Sequence, residues 1–227
     1  MPVIISIEAN IGCGKTTLLE KMEKSELFEE YIYKKNIIFL KEPVDFWGKI
    51  KEDDTDETML SKFYKDMQKY SFSFQIMAYI SRLYLLQRTI RENPNVQIIV
   101  CERSLNCDKE IFAKMLYEDG KIENILYKIY LNIFEMMNCC ELNGIIYLHT
   151  KPEICLERIK QRNRNGEDNI SLEYLKKCQK YHEEWLETSD FRLSCNILDI
   201  DATEELNDTI IKKILQFILM IFHTNNV

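Results

Sequence analysis

Residues 3–17 read VIISIEANIGCGKTT and join a short apolar run to a glycine-rich loop. The β-branched residues of the run predict a buried strand, and the pattern after it is that of a phosphate-binding loop between a strand and a helix. Gly12 and Gly14 let successive backbone N–H groups face a phosphate, and the following helix adds its positive end. Ala9 replaces the usual first glycine, which would cost about 1 kcal/mol or more if this position required a positive φ.

The two residues after the glycines carry the chemistry of such a loop. Lys15 would reach the β- and γ-phosphates of a nucleoside triphosphate, and the Thr16 hydroxyl would ligate Mg²⁺. Kinases, GTPases, ATPases and motors share this loop, but the sequence has no NKxD-type motif that would read guanine. The loop therefore predicts a phosphate-transferring or phosphate-cleaving protein and leaves the acceptor open.

Further apolar runs alternate with longer helical patterns, which predicts an α/β fold with a parallel sheet. The predicted strands are residues 3–8, 37–40, 97–101, 144–148 and 195–200. The predicted helices are residues 16–24, 60–91, 109–137, 152–162, 171–187 and 203–222. No linker or repeat divides the chain, so we expect a single domain over residues 1–227.

Composition limits the function classes. The chain has 227 residues with 37 acidic and 30 basic side chains, a net charge of −7, which argues against a general binder of nucleic acid or of anionic membranes. No apolar stretch reaches the roughly 18 residues that cross a bilayer, and no signal peptide is recognisable. The eight cysteines have no zinc-ligand spacing. They indicate reduced thiols in a cytoplasmic protein.

Three charged residues follow predicted strands on the acceptor side. Glu42 follows the second strand, and Glu102 and Arg103 follow the third. Parallel strands bring their carboxyl ends to the edge where the phosphate loop lies, so Glu42 should stand beside the γ-phosphate. Glu102 could hold Mg²⁺ directly or through water, and Arg103 could steady the phosphoryl group in transfer. A plain surface carboxylate is the alternative for Glu42.

An arginine cluster follows the fourth strand. Arg158 and Arg162 lie four residues apart on one predicted helix face, and Arg164 follows on a loop rich in Gly and Asn. Such a cluster suits a lid, residues 158–169, that closes over a triphosphate. The alternative is a solvated basic helix end that the helix dipole favours.

With these motifs the chain resembles the deoxyribonucleoside kinase family, which includes deoxycytidine, deoxyguanosine and deoxyadenosine kinases. The resemblance covers nearly the whole chain. It is carried by the phosphate loop, Glu42-Pro43-Val44 with Trp47, Tyr64 ahead of Phe72-Ser73-Phe74-Gln75, Ala78 and Arg82, Glu102-Arg103-Ser104 with Asp108, the three arginines, and Leu172-Glu173-Tyr174-Leu175. The resemblance implies a five-stranded parallel sheet with helices on both faces, an arginine-rich lid and a homodimer.

The resemblance also implies roles for single residues. The catalytic group would be Glu42 as the base for the 5′-hydroxyl, with Arg103 and Lys15. ATP would be bound by Asn10, Ile11, Gly12, Cys13, Gly14, Lys15, Thr16, Thr17, Arg158, Arg162 and Arg164. The nucleoside would contact Glu42, Trp47, Tyr64, Phe74, Gln75, Ala78, Arg82, Arg103, Asp108, Phe112 and Glu167. Thr16 and Glu102 would hold Mg²⁺.

Elementary chemistry agrees with a nucleoside acceptor. An alcohol gains from a carboxylate within hydrogen-bonding reach, whereas a monophosphate acceptor would be repelled by Glu42. The predicted function is therefore an ATP-dependent deoxynucleoside kinase of nucleotide salvage. A thymidylate-like nucleoside monophosphate kinase and a non-catalytic nucleotide-binding subunit are the alternatives.

The choice of nucleobase depends on a small set of polar residues. Gln75 can offer a donor or an acceptor, so it does not decide the base. Asp108 beside Arg82 would accept from an exocyclic amino group, which thymine lacks. Ala78, Arg82 and Asp108 together resemble the set found in the deoxycytidine and purine-type members of the family, which implies deoxyadenosine, deoxycytidine or deoxyguanosine as better substrates than thymidine. The alternative is an internal Arg82–Asp108 ion pair that never contacts substrate.

Overall fold

The computed structural model describes residues 1–137, 140–164, 166–187 and 195–225. Its centre is a five-stranded sheet in which every neighbouring pair is parallel, in the order β2-β3-β1-β4-β5. The strands are β1 Val3–Ala9, β2 Ile37–Leu40, β3 Ile98–Glu102, β4 Gly144–His149 and β5 Asn196–Asp201. Each begins and ends within one residue of its predicted bounds, so the predicted parallel α/β fold is confirmed.

Helices connect the strands. They are α1 Lys15–Lys24, α2 Glu26–Lys35, α3 Val44–Trp47, α4 Met59–Lys65, α5 Met67–Glu92, α6 Leu105–Cys107, α7 Lys114–Glu118, α8 Asn124–Met137, α9 Pro152–Arg162, α10 Leu172–Leu186 and α11 Asp208–Thr224, with a π-helical segment Asp108–Ala113 between α6 and α7.

The sheet is covered on both faces, as predicted. On β1, Ile5 and Ile7 pack into a core layer that includes residues of α1, α9, α10 and α11. Ile4 enters a second layer with Tyr79 of α5 and Tyr130 of α8. Alternate residues of a strand point to opposite faces, so a strand buried on both faces reads as the continuous apolar run seen at residues 3–7.

Three predicted helix bounds were wrong, and side-chain caps explain two of them. The predicted helix 60–91 is interrupted at Asp66, whose carboxylate accepts from the Lys69 backbone N–H at 3.1 Å and starts α5. The predicted helix 203–222 begins only at Asp208, after Asn207 accepts from the Ile210 N–H at 3.1 Å.

The third error concerns the predicted helix 109–137. Its first part is π-helical, and α7 ends before Gly120, which has a φ of 68°. The helical pattern also failed to predict α2, α3 and α6, of which the last two are a single turn or less.

None of the helices in the described part of the chain combines the length and the apolarity that a bilayer crossing requires. The described cysteines are all free thiols, and all but Cys140 are buried. Cys139 lies outside the described residues.

Candidate active site

A cavity of about 650 Å³ opens at the edge of the sheet where β1, β2 and β3 end. The phosphate loop, the residues after β2 and β3, helix α5 and the segment after α9 form its wall. Predicted residues on this wall are Ile11, Gly12, Gly14, Lys15, Thr16, Thr17, Glu42, Trp47, Tyr64, Phe74, Gln75, Ala78, Arg82, Glu102, Arg103, Asp108, Phe112, Arg158, Arg162, Arg164 and Glu167. The topology therefore brings the donor and acceptor motifs of the sequence to one place.

Two predicted ATP contacts do not line this cavity. The Asn10 side chain donates to the Leu175 carbonyl at 2.8 Å, and its Oδ1 accepts from the Ile11 N–H. The buried Cys13 thiol donates to the Leu148 carbonyl at 3.4 Å. Both side chains form hydrogen bonds within the protein. Only the backbone groups of Asn10 and Cys13 are therefore available for the predicted contact with ATP.

The backbone of the phosphate loop needs both of its glycines. Gly12 has a φ of 78°, and a Cβ there would lie 2.5 Å from the carbonyl oxygen of Cys155 on α9. Gly14 has a φ of 106° with open space beside it. Ala9 is instead the extended last residue of β1, so the missing first glycine causes no left-handed strain.

Lys15 and Thr16 stand at the start of α1. The buried Lys15 ammonium donates to the Asn10 carbonyl at 3.0 Å. Burial and then the charge of Arg103 lower the pKa of Lys15. The Thr16 hydroxyl donates to Glu102 Oε1 at 2.6 Å, which joins two oxygen ligands of the kind that Mg²⁺ prefers. The residues present thus fit the predicted metal.

Glu42 belongs to a buried cluster of charges. Arg82 Nη2 donates to Glu42 Oε1 at 2.9 Å, and Arg103 Nε lies 3.5 Å from the same oxygen. Burial alone would raise the pKa of Glu42, but Arg82, Arg103 and Lys15 outweigh it and lower this pKa to about 2. The carboxylate is therefore ionised throughout the physiological range.

Arg82 also binds Asp108 and the backbone of β3. Its Nε donates to Asp108 Oδ2 at 2.9 Å and its Nη1 to the Glu102 carbonyl at 2.9 Å. The internal ion pair that we considered as an alternative does form. Both partners nevertheless line the cavity, where a base could contact them.

Arg103 is held in an uncommon backbone conformation. Its φ is 67°, and its N–H donates to the Ile7 carbonyl of β1 at 3.1 Å. The guanidinium lies 4.8 Å from the centroid of the Phe112 ring. These contacts hold the side chain on the cavity wall beside Glu42.

Aromatic rings line the part of the cavity beside the first half of α5. Trp47 meets Phe74 edge to face at 5.6 Å, and its indole N–H donates to Ser81 Oγ at 2.8 Å. Phe63 stacks on Phe74 at 4.5 Å. Gln75 is buried, and its Oε1 has no hydrogen-bond partner among the described residues. An apolar slot with one unpaired amide oxygen suits a planar base with a donor at its edge.

Some wall residues were missed in the sequence. Phe63, Leu60 and Tyr174 line the cavity, and none of them was assigned a role in the site from the sequence. Tyr174 lies in a quoted motif but was given no role. Its ring meets that of Tyr64 at 6.0 Å, a contact between distant helices that no local spacing could reveal.

The predicted lid residues make ion pairs and backbone contacts. Arg162 donates to Glu167 Oε2 at 2.6 Å and Arg164 to Oε1 at 3.2 Å. Arg158 donates to the Cys13 carbonyl at 3.3 Å and to the Ala202 carbonyl at 3.0 Å. Asn165, within the predicted lid, lies outside the described residues.

Comparison with known proteins identifies the family of this chain. The family described as deoxynucleoside kinase matches residues 5–219. The chain belongs to the deoxynucleoside kinase family. Human deoxycytidine kinase is 31% identical over 242 residues, which cover 94% of this chain and 90% of that protein. Deoxycytidine kinase 2 of Gallus gallus is 33% identical over 92% and 85%, and the mitochondrial deoxyguanosine kinase of Xenopus laevis is 33% identical over 80% and 72%.

Membership of the deoxynucleoside kinase family settles the class of reaction. The chain is an ATP-dependent deoxynucleoside kinase, which confirms the activity predicted from the phosphate loop and the acceptor motifs. The monophosphate kinase and the non-catalytic subunit, our two alternatives, are not favoured by these matches.

Proposed function

We propose that Glu42 is the base that accepts the proton of the 5′-hydroxyl as the γ-phosphoryl group of ATP is transferred to a deoxynucleoside. The observation that carries this proposal is the position of its carboxylate, which shares the cavity with Lys15 of the phosphate loop. The contacts of Glu42 with Arg82 and Arg103 both use Oε1, so Oε2 would accept from the sugar. The two arginines hold the carboxylate in place before the nucleoside arrives.

A carboxylate with so low a pKa is sufficient for this reaction. The transition state of phosphoryl transfer is loose, so the alcohol needs alignment and proton acceptance more than full deprotonation beforehand. Lys15, Arg103 and the lid arginines would then stabilise charge on the transferring group. In this proposal the whole chain, residues 1–227, serves as one kinase domain.

Thr16 and Glu102 would hold Mg²⁺ in the same cavity. Their oxygens already meet at 2.6 Å next to Lys15, on the side of the phosphate loop. When bound with ATP, the cation supplies charge neutralisation at the phosphate oxygens. Glu102 also accepts from the Glu42 backbone N–H at 3.4 Å, which links the metal-binding carboxylate to the segment that carries the base.

We propose that deoxyadenosine, deoxycytidine or deoxyguanosine is preferred to thymidine. Asp108, already paired with Arg82, would accept from an exocyclic amino group, and Gln75 Oε1 would accept from a second edge donor. The relatives named deoxycytidine kinase and deoxyguanosine kinase support this preference. Tyr64 and Glu167 would hold the 3′-hydroxyl.

Two further expectations belong to this proposal. A homodimer is supported by exposed apolar residues on α5 and α8, among them Tyr84 and Ile125. A cytoplasmic location is supported by the free thiols of the described cysteines, and cell fractionation would test it.

The central test is Glu42→Gln. We expect turnover of the preferred deoxynucleoside to fall by at least about 10²-fold because the base is lost, while the Kd for ATP measured by calorimetry stays within about twofold. Asp53→Asn, in the exposed loop before α4, removes a carboxylate outside the cavity and should leave turnover unchanged. Turnover of Glu42→Gln near the wild-type rate would contradict the assignment of the base.

Base preference needs a separate assay. Wild-type kcat/KM is compared for the four natural deoxynucleosides at one ATP concentration. We expect thymidine to be the poorest substrate, and a tenfold advantage for thymidine would contradict the role given to Asp108.

A further inference from the structure

A second cluster of chemically reactive side chains lies next to Arg103. It consists of Glu8 on β1, Cys107 at the end of α6 and His182 on α10, all of them buried. One ligand atom from each lies within 4.8 Å of the others. Because the three residues come from distant parts of the chain, the sequence has no metal-binding spacing, and the zinc motif that we sought in the sequence could not reveal them.

Glu8 contributes an oxygen that lacks a partner. Its Oε1 accepts from the Ser104 N–H at 2.8 Å, whereas its Oε2 is buried without a hydrogen-bond partner among the described residues. A buried carboxylate oxygen without a partner lowers the stability of the fold unless a cation or a hydrogen-bond donor binds it. The Glu8 carboxylate belongs to the same cluster as the thiol and the imidazole.

The orientation of His182 favours ligation. Its Nδ1 lies 2.7 Å from the Cys178 carbonyl oxygen, which can only accept, so Nδ1 carries the proton. Nε2 therefore offers its lone pair, and it lies 4.0 Å from Cys107 Sγ. A metal-binding histidine commonly has its second ring nitrogen fixed by a backbone carbonyl in this way.

We propose that the Glu8 carboxylate, Cys107 Sγ and His182 Nε2 form a three-ligand site for Zn²⁺ or a similar borderline divalent cation, with water as the fourth ligand of a tetrahedral ion. One oxygen, one sulfur and one nitrogen are the ligand types that zinc accepts, and the sulfur and nitrogen disfavour Mg²⁺. Ligand atoms around tetrahedral zinc are about 3.5 Å apart, so binding would draw the ligand atoms, which lie within 4.8 Å of one another, closer together. The site is separate from Thr16 and Glu102, which offer only oxygen.

Binding would exchange a proton for the metal. The Cys107 S–H bond breaks, its proton passes to solvent, and the sulfur electron pair forms the bond to the cation. Arg103 Nη1, which lies 3.5 Å from Cys107 Sγ, would donate to the thiolate. The cation would tie β1, α6 and α10 together and thereby fix the turn that carries Arg103.

The test uses the full chain and needs no nucleoside, so it stands apart from the proposed activity. The protein is stripped with a chelator and titrated with Co²⁺ or Zn²⁺, and metal content is measured by mass spectrometry. We expect one metal per chain, with a thiolate-to-cobalt charge-transfer band for the Co²⁺ form. Cys107→Ser should lose that band and His182→Gln should bind less metal, whereas Cys140→Ser, a thiol outside the cluster, should behave as the wild type.

Thermal unfolding supplies the second measurement. Zn²⁺ should raise the Tm of the stripped wild type and of Cys140→Ser by linkage, and it should leave that of folded Cys107→Ser unchanged. If the Cys107 variant does not fold, the metal content of His182→Gln and the spectrum of the wild type with Co²⁺ provide the test. A folded wild type that binds less than a tenth of an equivalent of either metal would overturn the proposal. So would a charge-transfer band that survives in Cys107→Ser.

Discussion

At the scale of single residues, the charge of Glu42 links stability to function. Burial opposes its ionisation, and three neighbouring cations more than compensate, so its pKa falls from 4.5 to about 2. A group whose pKa is lower in the folded state stabilises the fold above its unfolded pKa, and this stabilisation is lost as the pH falls toward the folded value. The carboxylate that we propose as the base is therefore ionised at neutral pH, and the folded state is less stable in acid as a consequence.

This coupling predicts a pH-dependent difference between wild type and Glu42→Gln. The unfolding free energy of the wild type should exceed that of the variant most clearly above pH 5. The difference should shrink by about 2 kcal/mol between pH 6 and pH 3, as a shift from 4.5 to about 2 requires. Urea titrations at several pH values measure it, with Asp53→Asn as the control. A difference independent of pH would show that Glu42 is not held ionised.

The position of a residue could be predicted from the sequence where it follows a strand of the sheet. Glu42 and Arg103 follow strands, so parallel topology alone brought them to the phosphate loop. Phe63 was missed because its stacking on Phe74 joins two helices that the sequence pattern merged into one. The cluster of Glu8, Cys107 and His182 was missed because these residues are far apart in the sequence and form no recognisable motif.

At the scale of elements, Gly166 lets the segment after α9 pack closely against α4. Gly166 has a φ of 90°, and a Cβ there would lie 3.1 Å from the backbone of Ser61 on α4. The next residue, Glu167, faces the cavity and accepts from Arg162 and Arg164. The close approach therefore positions both the carboxylate proposed for the sugar and the arginines proposed for the triphosphate.

Gly166→Ala tests this positioning, with Gly120→Ala as its matched control. Both glycines have a positive φ, and each substitution should cost about 1 kcal/mol of stability. Only at Gly166 would the added Cβ contact the backbone of another element. At Gly120 the added Cβ would have no heavy atom within 4 Å. We expect kcat/KM for the deoxynucleoside to fall by more than about tenfold in Gly166→Ala alone, because a 1 Å displacement at a site is costly. Equal kcat/KM values for the two variants would refute this.

Element bounds were predictable only in part. Strand bounds were accurate because buried parallel strands are short, continuous apolar runs. The prediction of one helix over residues 60–91 was wrong. The apolar pattern continues through Asp66, but the Asp66 side chain caps the start of a new helix there. A cap within a continuing amphipathic pattern changes the direction of the chain without changing the pattern.

At the scale of the whole molecule, apolar surface remains on the helices of one sheet face. Tyr84 on α5 is 58% exposed, and Ile125 and Ile129 on α8 are 61% and 43% exposed. Helices α5 and α8 pack against each other over the core layer of Ile4. A face of this kind is typical of contact between identical chains, for which a stable dimer buries about 800 Å² per partner.

Charge substitution on α8 tests the homodimer that we propose. Light scattering at micromolar concentration should give twice the chain mass for wild type. Ile129→Glu should give the monomer mass, because an ionised carboxylate would be buried without a partner in the interface. Met220→Glu should remain dimeric. Met220 is exposed on α11, a helix that packs against α2 and the sheet, whereas the proposed interface lies on α5 and α8. Matching circular dichroism spectra would establish that each variant is folded. A monomeric wild type, or a dimer that survives in folded Ile129→Glu, would exclude this face as the interface.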